Sequence, residues 1–347
     1  MAWETSTNRL PACADPRRFA IVVGMTGTIR AAPSHRKAMV AAMVPIERGT
    51  VVLTTRNRRR RVLQSLRSLQ SHADDWAVIV VDNGSSDGTS EAVRREFPGV
   101  LLIRSRHEIG PAVKNIAVAY VHTPYVAFCA DDTEWEAGAL RRAADLLDAY
   151  PEIGVVTGTL CGPDADHVHP RCMEMSASPL DQGSLPCPQV LSFLADACIF
   201  RTRAFYEAGG FWPRLTSGGE ERLLALDMAQ LGWRMVYAES VRLHCERTWR
   251  PAGVPEDRYL VRDVIWVAWM RLPLRLAWKE TMLHLRAVPD RRQLRLIVMS
   301  ALGGALKVVE GRHVVRPQVS GMWARLLDQA SGWQNDDAAR PTRQSIA

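Results

Sequence analysis

The feature that most constrains the fold is a regular alternation of short apolar runs with amphipathic segments, which begins at Thr50. The apolar runs predict strands at Thr50–Thr55, Ala77–Asp82, Val100–Arg104, Tyr125–Cys129 and Gly154–Thr159. The segments between them predict helices at Arg59–Gln70, Ser90–Phe97, Gly110–Tyr120 and Ala137–Tyr150. Because short buried strands that alternate with helices form βαβ units, this region predicts an α/β fold with a mostly parallel sheet flanked by helices.

The chain on either side of this alternation has a different character. Residues 1–48 show no clear periodicity and carry four prolines, so we expect a loosely ordered N-terminal extension. Residues 49–250 are assigned to one α/β domain, in which the later elements are a loop or insertion at Cys161–Pro188, a strand-like run at Val190–Arg201, helices at Arg203–Ala208 and Glu220–Leu231, and a strand at Arg234–Tyr237. Residues 251–330 predict a helical C-terminal region, with helices at Arg258–Leu272, Leu274–Ala287 and Arg291–Val309, and residues 331–347 predict a disordered tail.

Composition limits the classes of partner. The chain has 44 Lys and Arg against 37 Asp and Glu, and the net charge of +7 suits anionic small molecules or an acidic membrane surface. This charge is too dispersed to predict nucleic-acid binding. The seven cysteines form no C-x-x-C pair, which argues against zinc. The odd number of cysteines and the lack of a recognisable signal peptide predict a cytoplasmic protein, and no apolar run is long enough for a membrane span.

Two adjacent acids follow one of the predicted strands. The apolar run Tyr125–Cys129 leads through Ala130 into Asp131 and Asp132, at the edge where open α/β sheets bind their ligands. Paired carboxylates at this edge suit a hard divalent cation that carries phosphate oxygens. A polar turn in which one of the two acids caps the next helix explains this run equally well.

Polar residues also follow the first two predicted strands and open the third helix. They are Thr54, Thr55, Arg56 and Asn57 after the first strand, Asp82, Asn83 and Gly84 after the second, and Lys114 and Asn115 in the helix. A strand-end carboxylate can bind a base edge or a ribose, and a Gly-Ser turn that opens a helix offers amide donors. Helix caps and ordinary turns have the same composition, and a lone lysine is more often solvated at the surface.

A second pair of acids, Glu220 and Glu221, begins a later helix after Gly218-Gly219. Spacing along the helix points Glu220 toward the apolar side and leaves Glu221 at the rim. The helix dipole also favours acids in a first turn, but a Gly-Gly loop lets the backbone approach a ligand. Further along, His244 follows another apolar run, where it could be a metal ligand beside Asp132 or an ordinary hydrogen-bonded histidine.

Taken in order, these motifs resemble those of family-two glycosyltransferases of GT-A fold, over about residues 50–244. The motifs are Thr54-Thr55-Arg56-Asn57, the run from Val80 to Thr89, Asp131-Asp132, Gly138-Ala139-Leu140, Gly209-Gly210-Phe211, Gly218-Gly219-Glu220-Glu221 and Gly232-Trp233-Arg234. The helical tail is similar to tails of one bacterial branch. The resemblance implies a Rossmann-like GT-A fold with a C-terminal helical extension. It also implies inverting, metal-dependent transfer of a hexose from a nucleotide-sugar donor to a hydroxyl of a glycan or lipid-linked acceptor, in cell-surface glycan or glycolipid synthesis.

The same resemblance implies roles for individual residues. The nucleotide sugar would contact Thr54, Thr55, Arg56, Asn57, Asp82, Gly84, Lys114, Asn115 and Asp131, with Asp82 at the base. Mg²⁺ or Mn²⁺ would bind Asp132 and His244. Glu221 aligns with the catalytic base, and Glu220 is the alternate.

Two positions depart from the family pattern. The metal motif is usually D-x-D, and its first acid falls at Ala130; the base motif is usually Glu-Asp, and here it is Glu220-Glu221. The first departure leaves open a catalytically inactive GT-A protein that only binds a partner. A Rossmann dehydrogenase is the less favoured alternative, because the turn after the first strand lacks the G-x-G-x-x-G pattern.

The helical tail combines tryptophans with arginines. They are Trp266, Trp269, Trp278, Arg271, Arg275, Arg286, Arg291, Arg292 and Arg295. This mixture suits an interfacial helix near anionic lipid, so we expect peripheral contact at the inner face of a membrane. Packing of these helices on the α/β core or on a second subunit explains the same composition.

Overall fold

The structure is a computed structural model that describes residues 47–72, 76–164, 167–215, 218–246 and 258–339. The predicted N-terminal extension therefore lies outside the described residues up to position 46. The strands are β1 (Gly49–Thr55), β2 (Trp76–Asp82), β3 (Leu101–Arg104), β4 (Tyr125–Ala130), β5 (Thr133–Trp135), β6 (Ile153–Cys161), β7 (Gln189–Val190), β8 (Ala197–Arg201) and β9 (Arg234–Cys245). The α-helices between β1 and β7 are α1 (Arg59–His72), α2 (Thr89–Glu96), α3 (Val113–Val118), α4 (Ala139–Ala149) and α5 (Pro170–Ser176). The later α-helices are α6 (Thr202–Glu207), α7 (Glu220–Gln230), α8 (Arg258–Arg271), α9 (Leu274–Arg286), α10 (Arg291–Gly303), α11 (Ala305–Glu310) and α12 (Pro317–Ala339).

The strands form one sheet in the order β3-β2-β1-β4-β8-β6-β9-β5, with β7 paired to β9. The first four strands in this order are parallel, so their C-terminal ends lie at one edge. Thr55 lies beside Asp82, and Thr54 beside Ala130, in register. The β/α alternation in the sequence thus produced the expected α/β fold, and it brings the polar strand ends together.

Strand β8 is antiparallel to both of its neighbours, β4 and β6. Its N-terminal end therefore meets the C-terminal end of β4, and Cys129 pairs with Ala197. The predicted single run Val190–Arg201 is in fact two short strands, β7 and β8, separated by a loop. This direction of β8 delivers the loop residues Ala195 and Asp196 to the same edge as Asp131.

Other element boundaries also differ from the sequence-based expectation. The predicted loop Cys161–Pro188 contains α5, and β9 continues to Cys245, well beyond the expected end at Tyr237. The predicted helix Arg291–Val309 is broken into α10 and α11 at Gly304, where an added Cβ would lie 2.0 Å from the Trp266 ring. Helix α12 extends to Ala339 and so enters the segment 331–347 that we expected to be disordered.

The C-terminal helices share a core with the α/β region. One buried apolar cluster contains Val51 and Phe128 of the sheet together with Trp266 of α8 and Trp323 of α12. Arg271, which is 1 % exposed, forms an ion pair with Asp227 of α7; its Nη2 lies 3.0 Å from Asp227 Oδ2. The tail is therefore packed onto the helix that begins with Glu220. No helix in the described ranges combines the length and apolarity that crossing a bilayer requires.

Candidate active site

A cavity of about 470 Å³ opens where the C-terminal ends of β1 and β4 meet the N-terminal end of α7. Eight of the predicted site residues line it: Thr54, Thr55, Arg56, Lys114, Asp131, Asp132, Glu220 and Glu221. The other lining residues include Arg58, Asn83, Gly110, Ala195 and Asp196. This volume is within the range of small-molecule sites. The structure therefore brings most of the predicted residues to one place.

The two strand-end acids are bridged by an arginine. Arg58 Nη1 lies 2.9 Å from Asp131 Oδ1 and 3.0 Å from Asp132 Oδ2. Arg61, one helical turn further along α1, has Nη1 3.7 Å from the same Asp132 oxygen. Both acids have buried side chains, whereas Arg58 is half-exposed. The acid pair thus already holds a cation at the mouth of the cavity.

Asp131 has further partners that fix its orientation. Thr55 Oγ1 donates to Asp131 Oδ2 at 2.7 Å, and Ser65 Oγ donates to the Asp131 carbonyl at 3.0 Å. Burial raises the pKa of Asp131 above its ordinary value, although the hydrogen bonds from Thr55 and Arg58 oppose that shift. The interpretation of this acid as a helix cap is wrong, because α4 begins after Gly138 without a side-chain cap.

The turns after β1 and β2 are tied to each other. Ser86 N donates to Asn57 Oδ1 at 2.8 Å, and Ser85 Oγ accepts from Asn57 N at 2.9 Å. Asn57 adopts a left-handed backbone conformation with φ of 51°. Gly84 is required in the second turn, since its φ is +83° and an added Cβ would lie 3.0 Å from the His107 backbone.

Asp82 is placed differently from what the sequence led us to expect. Its carboxylate is fully buried and accepts from Ser85 N at 2.8 Å and from the Ser90 hydroxyl. It therefore organises the β2–α2 turn, and the prediction that Asp82 contacts the base stays a prediction. Its neighbour Asn83 lines the cavity, and its side-chain amide bonds to the segment that opens α3.

Lys114 is buried, which contradicts the expectation that a lone lysine would be solvated. Its Nζ lies 2.8 Å from Asp196 Oδ1 and 3.0 Å from the Ala195 carbonyl, over the rings of Phe128 and Phe211. Burial acts to lower the pKa of Lys114, but the charge and hydrogen bond of Asp196, together with nearby negative groups such as Glu221, outweigh it and raise the pKa. Lys114 is thus a fixed cation in the cavity wall.

The adjacent residue, Asn115, has a structural role. Its Nδ2 donates to the Phe211 carbonyl at 2.7 Å and its Oδ1 accepts from Phe211 N at 3.0 Å. Gly210 leaves room for this amide, because an added Cβ would lie 2.7 Å from Asn115 Oδ1. Both ends of the amide are used, so Asn115 holds the Gly209-Gly210-Phe211 turn against α3.

Glu221 is held on both oxygens. Its Oε2 accepts from Arg171 Nη1 at 2.5 Å, and its Oε1 accepts from Ala195 N at 2.6 Å. We expected this residue to lie at the rim, but it is 9 % exposed, close to the 7 % of Glu220. The reason is α5, which the sequence did not reveal and which brings Arg171 over the helix. Glu221 thus connects α5, the β7–β8 loop and α7.

Glu220 has the opposite environment. Its Oε2 is buried and has no hydrogen-bond partner among the described residues. Burial raises the pKa of Glu220 to about 6, and the nearby negative charge of Glu221 adds to this effect. Gly219 allows this placement, since an added Cβ would lie 2.8 Å from Asp263 of α8. A carboxylate with one free oxygen and a raised pKa is suited to accept a proton.

His244 lies in a second cavity of about 370 Å³, on the other side of the acid pair. Asp131 and Asp132 line both cavities. The His244 Nε2 is 2.9 Å from Glu136 Oε1, so the ring nitrogen is engaged by a carboxylate. The prediction that His244 binds metal beside Asp132 stays a prediction.

The donor set suits a metal that arrives with phosphate. The described parts of the chain contain no group of three or more His, Cys, Asp or Glu side chains arranged to hold a metal ion. Mg²⁺ commonly uses one or two carboxylates together with substrate phosphates and water. Asp131 and Asp132 supply two carboxylates and stabilise the Arg58 guanidinium as a cation. The residues present therefore fit a divalent ion that is completed by a diphosphate.

Sequence reasoning missed three charged residues of this site: Arg58, Arg171 and Asp196. Arg58 was part of a basic run, and its position directly after Asn57 at the start of α1 was a signal that it faces the strand ends. The other two depend on contacts between distant segments: Asp196 lines the cavity and binds Lys114, 82 residues away, and Arg171 binds the cavity residue Glu221, 50 residues away.

Comparison with known proteins agrees with this geometry. Residues 50–210 match the family described as glycosyl transferase family 2. N-acetylglucosaminyl-diphospho-decaprenol L-rhamnosyltransferase of Mycobacterium tuberculosis is 22 % identical over 282 residues, which cover 68 % of this chain and 89 % of the relative.

Solved structures show the same fold. Staphylococcus aureus TarS residues 1–349, in complex with UDP-GlcNAc, superposes with a TM-score of 0.55 at 17 % identity, over 86 % of this chain and 94 % of that 1–349 chain. GalNAc-T7 with UDP, GalNAc and Mn²⁺ superposes with a TM-score of 0.55 at 11 % identity, over 74 % of this chain and 54 % of that one. The chain therefore contains a glycosyl transferase family 2 domain over residues 50–210, and it shares the GT-A fold of these solved structures.

Proposed function

We propose that this glycosyltransferase moves a sugar from a nucleotide-sugar donor to a hydroxyl of a lipid-linked acceptor, with inversion at the anomeric carbon. The observation that supports it most directly is the shared cavity. The carboxylate of Glu220, with its unpaired oxygen, lines the same cavity as the cation-binding pair Asp131 and Asp132. The lipid-linked acceptor is suggested by the mycobacterial relative, whose name specifies a diphospho-decaprenol. The reaction then takes place at a membrane surface.

The donor is proposed to lie across the ends of β1, β2 and β4. The diphosphate would sit near Arg56 and Arg58, which line the cavity and are half-exposed cations. Asn83 replaces Asp82 as our proposed contact for the base or ribose, because Asp82 is enclosed in its own turn. Arg56 and Arg58 are well suited to bind the diphosphate, because the planar guanidinium of an arginine can donate two hydrogen bonds to a phosphate.

A divalent ion, Mg²⁺ or Mn²⁺, is proposed to bind at Asp132, with Asp131 beside it. When bound, such an ion neutralises the charge that develops on the departing diphosphate. Arg58 would then leave the carboxylates and become available to the phosphates. His244, whose ring nitrogen contacts Glu136, lines the neighbouring cavity that Asp132 also lines.

Glu220 is proposed as the base that takes the proton of the acceptor hydroxyl. This reverses the expectation from the resemblance, which assigned that role to Glu221. Both oxygens of Glu221 already accept hydrogen bonds from the protein, one from a guanidinium and one from a backbone N–H, whereas one oxygen of Glu220 has no partner among the described residues. We propose that Glu221 positions α7 against the β7–β8 loop, so that Glu220 faces the anomeric carbon.

A binding experiment with the donor class tests this function. Calorimetric titration of the protein with nucleoside diphosphates and nucleotide sugars, with and without Mn²⁺, should show metal-enhanced binding for one base. A transfer assay with that donor and short-chain polyprenyl-diphosphate sugars should then give a product of inverted anomeric configuration by NMR. Binding without any transfer to polyprenyl acceptors would refute the acceptor class, and a product of retained configuration would refute the single displacement.

A further inference from the structure

Helices α10 and α11 expose an apolar surface to solvent. Its members, here called the α10–α11 face, are Leu296, Val298, Met299, Leu302, Leu306 and Val309, and they are 37–79 % exposed. Leu296, Met299 and Leu302 recur every three residues in α10, and Leu306 and Val309 do so in α11, so each helix has an exposed apolar stripe. Single exposed apolar residues are ordinary, but apolar stripes on two consecutive helices mark a surface that binds a partner.

The opposite side of the same helices is already packed. Ile297 is fully buried in a small cluster with Val261 and Ile265 of α8, and Val308 is buried in the main core. No other described element of this chain therefore covers the α10–α11 face. Its occupant comes from outside the described residues.

Charge identifies the occupant. The sequence from Arg291 to Val309 contains four cations, Arg291, Arg292, Arg295 and Lys307, and no acid. All four are exposed, and none forms an ion pair within the described part of the chain. An isologous pairing of two copies would bring these like charges together. An anionic bilayer offers both complements at once, acyl chains for the apolar stripe and lipid phosphates for the cations.

We propose that the α10–α11 face is the membrane-docking surface of the enzyme. It binds the headgroup region of an anionic bilayer, and the axes of α10 and α11 lie in the plane of the interface. This deepens the proposed function, since it rests on a lipid-linked acceptor and identifies the surface that reaches it. It also corrects the residues expected from the sequence. Trp266 and Arg271 of the tail are buried in the protein, so they do not face lipid.

The docking face is rigidly connected to the active site. Trp266 Nε1 donates to the Ala301 carbonyl of α10 at 3.0 Å, and the same ring fills the space above Gly304. From α8, Arg271 reaches Asp227 of α7, which begins with Glu220. Docking of the face therefore fixes the orientation of the cavity relative to the bilayer surface.

Co-sedimentation with vesicles tests the proposal on the full chain. The variant Leu302→Glu/Leu306→Glu places two acids in the stripe, and Met173→Glu, at a residue as exposed as Leu302, is the matched control on α5. Wild type and Met173→Glu should bind vesicles that contain phosphatidylglycerol, and more weakly as salt increases. The double variant should lose roughly tenfold or more in vesicle affinity, because two leucines no longer transfer into lipid.

Two further measurements keep the outcomes separate. Nucleotide binding without vesicles should be the same in all three proteins, which shows that the double variant is folded and leaves the transferase assignment to its own test. Light scattering in solution reports the oligomeric state. Wild type that binds nucleotide but no anionic vesicle overturns the docking proposal. So does a dimer that the double variant converts to monomer, since the face would then join two copies.

Discussion

The variant Glu220→Gln should be more stable than the wild type at neutral pH and yet nearly inactive. Burial raises the pKa of Glu220 from 4.5 to about 6, so the ionised form costs free energy in the folded protein. The shift corresponds to about 2 kcal/mol at about 1.4 kcal/mol per pH unit. Below the unfolded-state pKa the carboxyl is protonated in both states and this cost is absent. As pH increases through about 6, the stability is progressively lost.

Glutamine keeps the shape of the side chain but cannot ionise. The free energy of unfolding of Glu220→Gln should therefore exceed that of the wild type by about 2 kcal/mol at about pH 8, and by almost nothing at about pH 4. Urea titrations followed by circular dichroism at both pH values measure this difference. A variant that is less stable than the wild type at the higher pH would contradict the buried, unpaired carboxylate.

The same variant should lose the proton acceptor. Transfer should decrease by about 10²–10⁴-fold with nucleotide affinity unchanged, and the increase of wild-type kcat/KM with pH through about 6 should disappear. Glu221→Gln is the matched control. It removes the charged acceptor of Arg171 and should cost stability by about 1.5–3 kcal/mol at neutral pH. If Glu221→Gln abolishes transfer while Glu220→Gln remains active, the proposed roles are exchanged.

Four further perturbations test other parts of the structure. Arg58→Gln should bind Mn²⁺ alone more tightly by several-fold in calorimetry, because the cation that bridges the acid pair is gone; unchanged metal affinity would contradict the bridge. Asp132→Ala should abolish the metal dependence of nucleotide binding while circular dichroism stays normal, and a persistent metal response would exclude Asp132 as a ligand. Arg271→Met removes the guanidinium that pairs with the Asp227 carboxylate on α7 and should cost about 3–5 kcal/mol of unfolding free energy, against about 0–1 for Lys279→Met, whose ion pair is exposed. Asp82→Ala should lower stability more than nucleotide affinity, and a large calorimetric loss of base binding with normal stability would restore its role at the base.

The elements that the sequence predicted well are those whose signal is local. Strands β1 to β4 are continuous apolar runs, and α1 and α4 carry an apolar stripe, so their limits agree with the structure within a few residues. The pairing of β8 is a different kind of property. Its antiparallel direction depends on the route of the chain after β6, and no residue between Val190 and Arg201 encodes that route.

The site shows the same division. The positions of Asp131 and Asp132 were predicted from the end of a strand, and the position of Glu220 was predicted from helical spacing. What each side chain does depends on its partners. Glu221 was expected at the rim because helical spacing does not reveal its contact with Arg171. Arg171 belongs to α5, a helix within the segment that we predicted to be a loop. For Asp82, the sequence does not reveal that each of its two oxygens accepts a hydrogen bond within its own turn, from Ser85 and from Ser90.

The ion pair between Arg271 and Asp227 has a consequence for how this chain is divided. A chain shortened to the family-matched region and its strand β9, ending at residue 246, would leave the Asp227 carboxylate on α7 without its guanidinium. It would also uncover the apolar residues that Trp266 and Trp323 cover in the shared core. The C-terminal helices thus complete the core of the α/β region. The α/β region and the C-terminal helices should therefore unfold in a single cooperative transition. Differential scanning calorimetry of the whole chain should accordingly show one peak.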